Sequence, residues 1–241
     1  MKIYTYYDNI DGFDDSTELE LIKVWEQSWS NQGYKPIVLT KSDAVSHSFY
    51  NEFCDKINNL HEQMMNKSIT DYGLACYVRW LAYANIGEGK RFYVSDYDVI
   101  NKDYPVIHPI DDKLHFMDGH CPCIASGNSF DFSKLCRLFI NTSQKNTAYI
   151  RRYIQEPHYH DQEFFLYNYP TLSTIYSQEF IMTRSRPTIG CFNLYDKNHP
   201  DSKIFHIAHA NIEQIKDNFP EIANKYSSDN KIRLAAAKDL L

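Results

Sequence analysis

Residues 91–99, RFYVSDYDV, run from an apolar strand directly into two carboxylates, Asp96 and Asp98. Side chains of a strand alternate between its faces, but where the strand breaks into a turn the two acids can converge on one ion. Carboxylate oxygens suit Mg²⁺ or Mn²⁺, which keep coordination positions open for water and for a diphosphate. The stretch therefore predicts a divalent cation at a strand end and a phosphate-bearing partner. The alternative is a solvated acidic turn.

The segments upstream alternate between strand and helix patterns. Strands are predicted over residues 2–7 and 37–39, and between them Thr17 and Glu20 have the spacing of a capping box that opens a helix ending near Gly33. Two further helices are predicted over residues 48–65 and 70–86. Strands separated by such helices favour an α/β fold with a mostly parallel central sheet flanked by helices. Because ligands collect at the carboxyl ends of these strands, the loops after Tyr7, Leu39 and Ser95 are expected to share one crevice.

The second half of the chain has a looser pattern. Strands are predicted over residues 114–117 and 123–126, and helices over 132–140 and 147–155. No linker rich in Pro, Gly or Ser and no internal repeat divides the chain. A single domain over residues 1–241 is therefore predicted.

Composition narrows the class of protein. The 241 residues are 43% hydrophobic and 15% aromatic, which is enough for a substantial core. A formal net charge of -6, with no cluster of basic residues, does not indicate a nucleic-acid partner. A polar amino terminus argues against a signal peptide, and no apolar run approaches the roughly 20 residues of a membrane span. With six cysteines that form no disulfide framework, these features predict a cytoplasmic protein, free or peripheral at a membrane.

A second group of ligand-type residues lies near the carboxyl terminus. Residues 203–211, KIFHIAHAN, have an apolar strand pattern that carries His206 and His209. An imidazole can complete the coordination of an ion whose other ligands are carboxylates, and Mn²⁺ tolerates that mixture best. The alternative for each residue is an ordinary core or surface histidine.

Residues 77–99 resemble the Arg-bearing helix and Asp-x-Asp strand of GT-A glycosyltransferases, enzymes that use nucleotide sugars. The block consists of YVRWLAYANIG over residues 77–87 and FYVSDYDV over 92–99. Asp161-Gln162 resembles the later Asp-Gln pair of that group, and His206 resembles its terminal metal-binding histidine. The resemblance extends from the first strand to near residue 211. It departs at the longer turn over 87–91 and at Cys76, where some relatives have an Asp that contacts the sugar.

The resemblance implies a GT-A (Rossmann-like) fold and a site for Mn²⁺ or Mg²⁺. Asp98 would bind the ion directly, while Asp96 would contact the ribose or sugar and reach the ion directly or through water. His206, or failing it His209, would complete the coordination shell. Arg79 would hold the phosphate or the donor sugar with its planar fork, the alternative being a salt bridge on the helix surface.

Further roles implied by the resemblance concern the donor pocket. Thr5, Tyr6 and Tyr7 would contact the nucleoside at the end of the first strand, although packing alone also explains tyrosines in so aromatic a chain. Ser126 and Gly127 would line the donor pocket after a predicted strand, where glycine permits a close approach. An ordinary turn is the alternative for this pair.

The reacting groups implied by the resemblance are Asp161 and Gln162. Asp161 would bind donor or acceptor hydroxyls, or act as a base if the reaction inverts the anomeric centre, and its alternative is a helix N-cap. If the reaction retains configuration, Gln162 or a backbone carbonyl would face the anomeric carbon. Resemblance to retaining relatives favours this second outcome.

The resemblance thus implies an enzyme that moves a sugar from a UDP-sugar, or secondarily a GDP-sugar, to a carbohydrate hydroxyl in glycan, glycolipid or polysaccharide assembly. Residues 1–100 would form the nucleotide-sugar-binding half, 101–211 the acceptor half with the metal-ligand strand, and 212–241 a helical tail. Two alternatives stay open. One is a haloacid-dehalogenase-like phosphatase that uses Asp96 and Asp98, and the other is a non-catalytic carbohydrate-binding relative. A zinc site at His120, Cys121 and Cys123 is not predicted, because no second Cys/His pair has a usual spacing.

Overall fold

A computed structural model describes residues 1–10, 15–87, 89–106, 113–117, 122–150, 160–165, 180–182, 189–190 and 202–241. Its strands are β1 (Lys2–Tyr6), β2 (Lys35–Leu39), β3 (Phe92–Ser95), β4 (Val99–Asn101), β5 (Leu114–Phe116), β6 (Ile124–Gly127), β7 (Phe180–Met182), β8 (Ile189–Gly190) and β9 (Ile204–His206). Its helices are α1 (Asp15–Asn31), α2 (Lys41–Val45), α3 (Tyr50–Met65), α4 (Asp71–Ala84), α5 (Ser129–Ile150), α6 (residues 161–165), α7 (Ile212–Asn218), α8 (Pro220–Lys225) and α9 (Asp229–Asp239). Residues 151–155 of one predicted helix, and His120 and Cys121, lie outside the described residues.

The central sheet has six strands in the order β2-β1-β3-β6-β5-β7. The β1 strand is parallel to both β2 and β3, and β5 is parallel to β7, whereas β6 is antiparallel to β3 and β5. A second sheet of three strands has the order β4-β9-β8. The predicted α/β fold with helices around a central sheet is confirmed. The sheet is mixed, however, and the reversal of β6 changes which strand ends meet at the site.

Helix boundaries follow local capping, with several departures from prediction. Residues Ser129–Ile150 form the single helix α5 where two helices were predicted. The Thr70 hydroxyl accepts a hydrogen bond from the Gly73 backbone N–H at 3.1 Å, so α4 begins as the sequence predicts. Helix α1 begins by Asp15, which places Thr17 inside its first turn instead of at its cap. The short helix α2 was not predicted. It is opened by a reciprocal capping box between Thr40 and Asp43.

Two apolar cores cover opposite faces of the sheet. Helices α3, α4 and α5 pack on one face around Trp80, which is 1% exposed and is ringed by aromatic side chains. Helices α1 and α9 contribute to the other core, which surrounds Trp25 and Trp29. The indole N–H of Trp25 donates to the Ser95 hydroxyl at 2.8 Å, and that of Trp29 donates to the Val99 carbonyl at 3.0 Å. These bonds fix α1 to both sides of the turn that carries Asp96 and Asp98.

Candidate active site

The turn that bears Asp96 and Asp98 is held on three sides by the backbone. The Asp96 N–H donates to the Cys123 carbonyl at 2.9 Å, and the Val99 N–H closes the turn onto the Asp96 carbonyl at 3.1 Å. The Ile207 N–H donates to the Asp98 carbonyl at 2.8 Å. The turn therefore joins β3, β4 and β9, and both acids lie at the carboxyl end of β3.

His206 reaches this turn from β9. Its partner in the antiparallel ladder is Val99, next to Asp98, and its Nε2 lies 3.4 Å from Oδ1 of Asp98. One ligand atom from each of Asp96, Asp98 and His206 lies within 4.8 Å of the others. The fold thus brings together three predicted metal ligands from segments more than a hundred residues apart in the sequence.

His209 has a different environment, on the 3₁₀ turn His209–Asn211. Its Nε2 lies 2.5 Å from Nη1 of Arg233 and 3.4 Å from Oε1 of Glu18. The group of potential ligand atoms contains His206 and not His209. Of the two histidines proposed for the metal, the geometry favours His206.

A buried ion pair that the sequence analysis did not identify lies behind Asp98. Arg233 of α9 and Glu18 of α1 are each 1% exposed, and Arg233 Nη1 donates to Glu18 Oε1 at 3.0 Å. Arg233 Nη2 also donates to Oδ2 of Asp98 at 3.4 Å. A pattern in the sequence could have identified both residues, because each is a charged residue in line with apolar residues on one face of its helix. Glu18 shares its face with Leu21 and Trp25. Arg233 shares its face with Ala236 and Ala237.

Arg79 occupies the other side of the turn. Its Nη1 donates to Oδ1 of Asp96, while its Nε and Nη2 donate to Oδ2 of Asp161 at 3.0 and 2.6 Å. The indole N–H of Trp80 donates to the same oxygen of Asp161 at 2.7 Å. Arg79 therefore does not form the surface salt bridge considered above. It links α4, the Asp96 turn and α6 in one network that is only partly exposed to solvent.

The position of Asp161 bears on both roles considered for it. Asp161 is the first residue of α6, and the Glu163 carboxylate accepts from the His160 backbone N–H at 3.0 Å, so His160 and not Asp161 has the cap position. Burial would raise the pKa of Asp161, but Arg79 and His160 outweigh it and lower the pKa to about 2. A carboxylate this acidic, with three N–H groups donating to its Oδ2, is a weak proton acceptor. The geometry suits Asp161 to positioning Arg79 better than to base catalysis.

The same low pKa predicts an acid-sensitive contribution to stability. Since the folded-state pKa of about 2 lies below the ordinary 3.8, Asp161 stabilises the fold above pH 4, and the effect is lost as pH falls towards 2. Between pH 5 and pH 3 the free energy of unfolding of the native chain should fall by about 1 kcal/mol more than that of Asp161→Asn. Urea unfolding at the two pH values measures the difference, and equal falls in both proteins would contradict the assignment.

Burial and charge also act on the Asp98 carboxylate. Burial would raise the pKa of Asp98, but His206 and Arg233 lower it to about 2. Burial would also raise the pKa of Glu18, but the contacts of its carboxylate with His209 and Arg233 have the larger effect and lower the pKa. Both carboxylates are therefore ionised at neutral pH, as a cation site requires.

An open cleft adjoins the two acids. It is lined by residues from β1 and its following loop, from α1 and α4, and from the acidic turn: Tyr6, Tyr7, Asp8, Ile10, Glu18, Tyr72, Ala75, Cys76, Arg79, Asp96, Tyr97 and Asp98. The rings of Tyr7 and Tyr97 meet edge to face with centroids 5.8 Å apart. The structure thus places Tyr6 and Tyr7 in one cleft with Arg79 and both acids, which is the arrangement expected from the strand ends.

Besides Asp161, which contacts Arg79, four residues assigned to donor binding or catalysis do not line this cleft. Thr5 is fully buried, and Gln162 is exposed on α6. Ser126 and Gly127 end β6, which is antiparallel to β3, so Gly127 pairs with Phe92 at the far end of β3 from Asp96. Arg91 donates to the Ser126 carbonyl at 2.8 Å, and a Cβ at Gly127 would lie 2.7 Å from a Leu114 methyl. Ser126 and Gly127 therefore pack at the opposite end of β3 from the two acids, because their strand is antiparallel to β3.

The side chains of Asp96, Asp98 and His206 suit a divalent cation. Two carboxylates and one imidazole form a mixed oxygen and nitrogen donor set, which suits Mn²⁺. Glu18 lines the same cleft and adds a third carboxylate close to this donor set.

A second set of potential ligands is less suitable. Cys76, His160 and Asp161 also have ligand atoms within 4.8 Å of one another. The guanidinium of Arg79 already faces Asp161, however, and burial and the Asp161 charge raise the pKa of the Cys76 thiol. Because a thiol must lose its proton to bind a metal, these conditions oppose a cation there.

None of the helices in the described parts of the chain combines the length and the apolar character needed to cross a bilayer.

Comparison with solved structures relates the fold to glycosyltransferases. The chain is similar to the crystal structure of the apo form of the glycosyltransferase GlyE from Streptococcus pneumoniae TIGR4, with a TM-score of 0.50 and 11% identity over 98% of this chain. The chain spans 59% of the length of GlyE. The galactosyltransferase LgtC, solved in complex with donor and acceptor sugar analogs, has a TM-score of 0.47 and 14% identity, covering 95% of this chain and 97% of LgtC. At these identities the similarity to GlyE is one of fold.

Sequence comparison gives the family. No protein of curated function matches the chain. The profile of one family, described as "Domain of unknown function (DUF8765)", matches residues 1–241. In this chain a mixed α/β sheet places Asp96, Asp98 and His206 beside an open cleft. Because the family profile matches residues 1–241, the chain belongs to the DUF8765 family.

Proposed function

We propose that this protein is a metal-dependent glycosyltransferase that moves a sugar from a nucleoside diphosphate sugar to a carbohydrate hydroxyl. The observation that carries the proposal is the convergence of Asp96, Asp98 and His206 at the carboxyl end of β3, beside a cleft also lined by Arg79. A donor of this class carries two phosphates, which need a cation and fixed positive charge as the glycosidic bond breaks. A UDP-sugar is our first choice of donor and a GDP-sugar the second.

In this proposal Asp98 and His206 hold Mn²⁺, or alternatively Mg²⁺, and Asp96 binds the ion or the donor sugar. The ion supplies Lewis-acid stabilisation to the departing diphosphate. Tyr7 and Tyr97 offer aromatic faces in the cleft to which a nucleoside base could stack, and Tyr6 lies beside them. These assignments rest on the positions of the side chains around one cleft.

In this proposal the guanidinium of Arg79 binds the donor, and its contacts hold it in one orientation. Two of its nitrogen atoms bind Asp161 and a third binds Asp96, so the planar group is held in the wall of the cleft without rotamer freedom. Fixed charge of this kind stabilises a developing anion without reorganisation during the reaction. Asp161, with its low pKa, is the positioning partner of Arg79. This assignment supports a retaining reaction over one in which Asp161 removes a proton from the acceptor.

The acceptor in this proposal is a glycan or glycolipid, and its site lies beyond the donor cleft. Gln162 stays the proposed contact to the reacting sugar in a retaining reaction, although the described residues leave it exposed on α6. Assembly of a polysaccharide or glycan in the cytoplasm is the setting that we propose.

A binding and turnover experiment tests the function. Thermal unfolding is followed with UDP, GDP and their sugars, each with and without Mn²⁺, and release of nucleotide is then assayed with the sugars that bind. We expect a Mn²⁺-dependent shift of several degrees with one nucleotide class, as ligand at about 100 times its dissociation constant adds about 2.7 kcal/mol. Turnover of a phosphate monoester without nucleotide binding would instead support a phosphatase, and sugar binding without any turnover would support a carbohydrate-binding module.

A further inference from the structure

Arg233 connects three segments of the chain at the back of the proposed metal site. Its Nε donates to the Ile207 carbonyl at 2.8 Å, next to His206. Its Nη1 donates to Glu18 of α1, and its Nη2 donates to Asp98 of the acidic turn. A guanidinium is planar and carries its five N–H groups in a rigid fork, so these contacts fix the relative positions of Asp98 and the His206 strand.

These contacts differ between the two oxygens of Asp98. Oδ2 faces Arg233 at 3.4 Å, whereas Oδ1 lies 3.4 Å from Nε2 of His206. Arg233 therefore donates to one oxygen of Asp98, and the other oxygen lies beside the imidazole of His206. A cation held by Asp98 and His206 would meet an Asp98 side chain whose orientation is already set.

The charge of Arg233 would by itself oppose a cation at this place. Coulomb repulsion between an unpaired guanidinium and a divalent ion is substantial in a site of low dielectric. Glu18 offsets this charge, because its Oε1 lies 3.0 Å from Arg233 Nη1 and both side chains are almost completely buried. The two residues form a pair without net charge directly behind Asp98.

We propose that Glu18 and Arg233 are a positioning pair for the divalent cation site, in which Arg233 orients Asp98 and Glu18 cancels the repulsion between Arg233 and the cation. The inference rests on the metal site of the proposed function. It assigns a role to α1 and α9, the first and last helices of the chain, which supply no direct ligand in that proposal.

The first test removes the negative charge of Glu18 and preserves its shape. In Glu18→Gln the side-chain oxygen can still accept from Arg233, but the guanidinium charge is no longer balanced. We expect the dissociation constant for Mn²⁺ to rise about tenfold or more, the usual effect of losing a partner just outside the ligand shell. The measurement is titration of the purified full chain with Mn²⁺, with free ion detected by electron paramagnetic resonance and no nucleotide present.

A matched control is available on the same two helices. Glu20 of α1 pairs with Lys238 of α9 at 2.9 Å, but both side chains are about half exposed. Glu20→Gln removes the same charge from the same helix and should leave Mn²⁺ affinity within twofold of the native value. A general effect of net charge or of the contact between α1 and α9 would change both variants alike.

The second test addresses orientation. Arg233→Lys retains the positive charge but cannot bind Ile207, Glu18 and Asp98 together, so Mn²⁺ affinity should again fall about tenfold. Thermal unfolding of each metal-free variant separates folding from binding, since a purely structural role would lower the melting temperature and leave the affinity of the folded chain unchanged.

The outcomes distinguish this inference from the function on which it rests. If the native chain binds Mn²⁺ and either Glu18→Gln or Arg233→Lys binds it equally well while folded, the positioning pair is refuted and the metal site stands. If the native chain binds no Mn²⁺, both proposals fail. Weaker binding in both variants, with native affinity in Glu20→Gln, would establish the pair.

Discussion

Asp98→Asn should lower the rate of sugar transfer, expressed as kcat/KM, by about a thousandfold or more and remove its dependence on Mn²⁺. The structure gives two reasons. Asp98 is the acid that lies against both His206 and Arg233, and it is ionised because these partners lower its pKa to about 2. An amide of the same shape has no charge to offer the cation, and its NH₂ group would face either His206 or Arg233.

The measurement is nucleotide release from the donor sugar that gives the largest thermal shift, with Mn²⁺ varied. Asp103→Asn serves as the control, because Asp103 is an exposed carboxylate that follows β4 at the end away from Asp98. It should keep native kcat/KM and native metal dependence. If Asp98→Asn kept full activity in the presence of a chelator, the proposed metal site would have to be abandoned.

Arg79→Met should lower the free energy of unfolding at pH 7 by about 3–5 kcal/mol, the range observed when one partner of a buried ion pair is removed. Because Met approximates the volume of the aliphatic part of Arg, the loss of stability comes mainly from the carboxylates that lose their partner. The Asp161 side chain is only 2% exposed and would be left ionised with the Trp80 indole as its donor in place of a guanidinium. The Asp96 side chain is 24% exposed and can recover more of its solvation.

Urea unfolding at pH 7 and pH 4 tests both the size and the origin of this effect. Without Arg79, the largest influence that lowers the pKa of Asp161 is lost, so the folded-state pKa should rise from about 2 towards or beyond the unfolded value. The stability that ionised Asp161 adds at neutral pH is then reduced, so the deficit of Arg79→Met against the native chain should be smaller at pH 4 than at pH 7.

Two further variants isolate the ion pair. Arg79→Met combined with Asp161→Asn removes both charges and should recover part of the lost stability. Lys56→Met breaks the exposed pair of Lys56 and Glu52 on α3 and should cost less than about 1 kcal/mol. A loss of under 1 kcal/mol in Arg79→Met as well would mean that the network around Asp161 does not stabilise the fold.

Local patterns in the sequence anticipated much of the fold and part of the site. The strand at residues 92–95, the capped helix at 71–84 and the strand carrying His206 follow from apolar periodicity and capping. The expectation that strand ends share a crevice correctly grouped Tyr6 and Tyr7 with the acidic turn. Ser126 and Gly127 lie at the far end of β3, because the direction of a strand depends on pairing between distant segments and does not appear in the periodicity of one strand.

Local sequence patterns also could not identify the partners of the buried charged residues. Arg79 was recognised, but its contacts lie 17 residues away at Asp96 and 82 residues away at Asp161. Glu18 and Arg233 lie 215 residues apart, and the helix that carries Arg233 was expected only to form a tail. Each residue does stand out as a charge on an apolar stripe, which indicates a buried partner without identifying it.

The sequence by itself determined the α/β class, the acidic turn at a strand end and the imidazole that could join it, since these depend on side-chain order over a few residues. Only the tertiary structure decided that β6 is antiparallel, that Asp161 holds Arg79, and that Glu18 and Arg233 lie behind Asp98. The physical reason is that a buried charge is stabilised by whichever opposite charge the packing brings within a few ångströms. That pairing is a property of the assembled cores, in which the first and last helices of the chain meet.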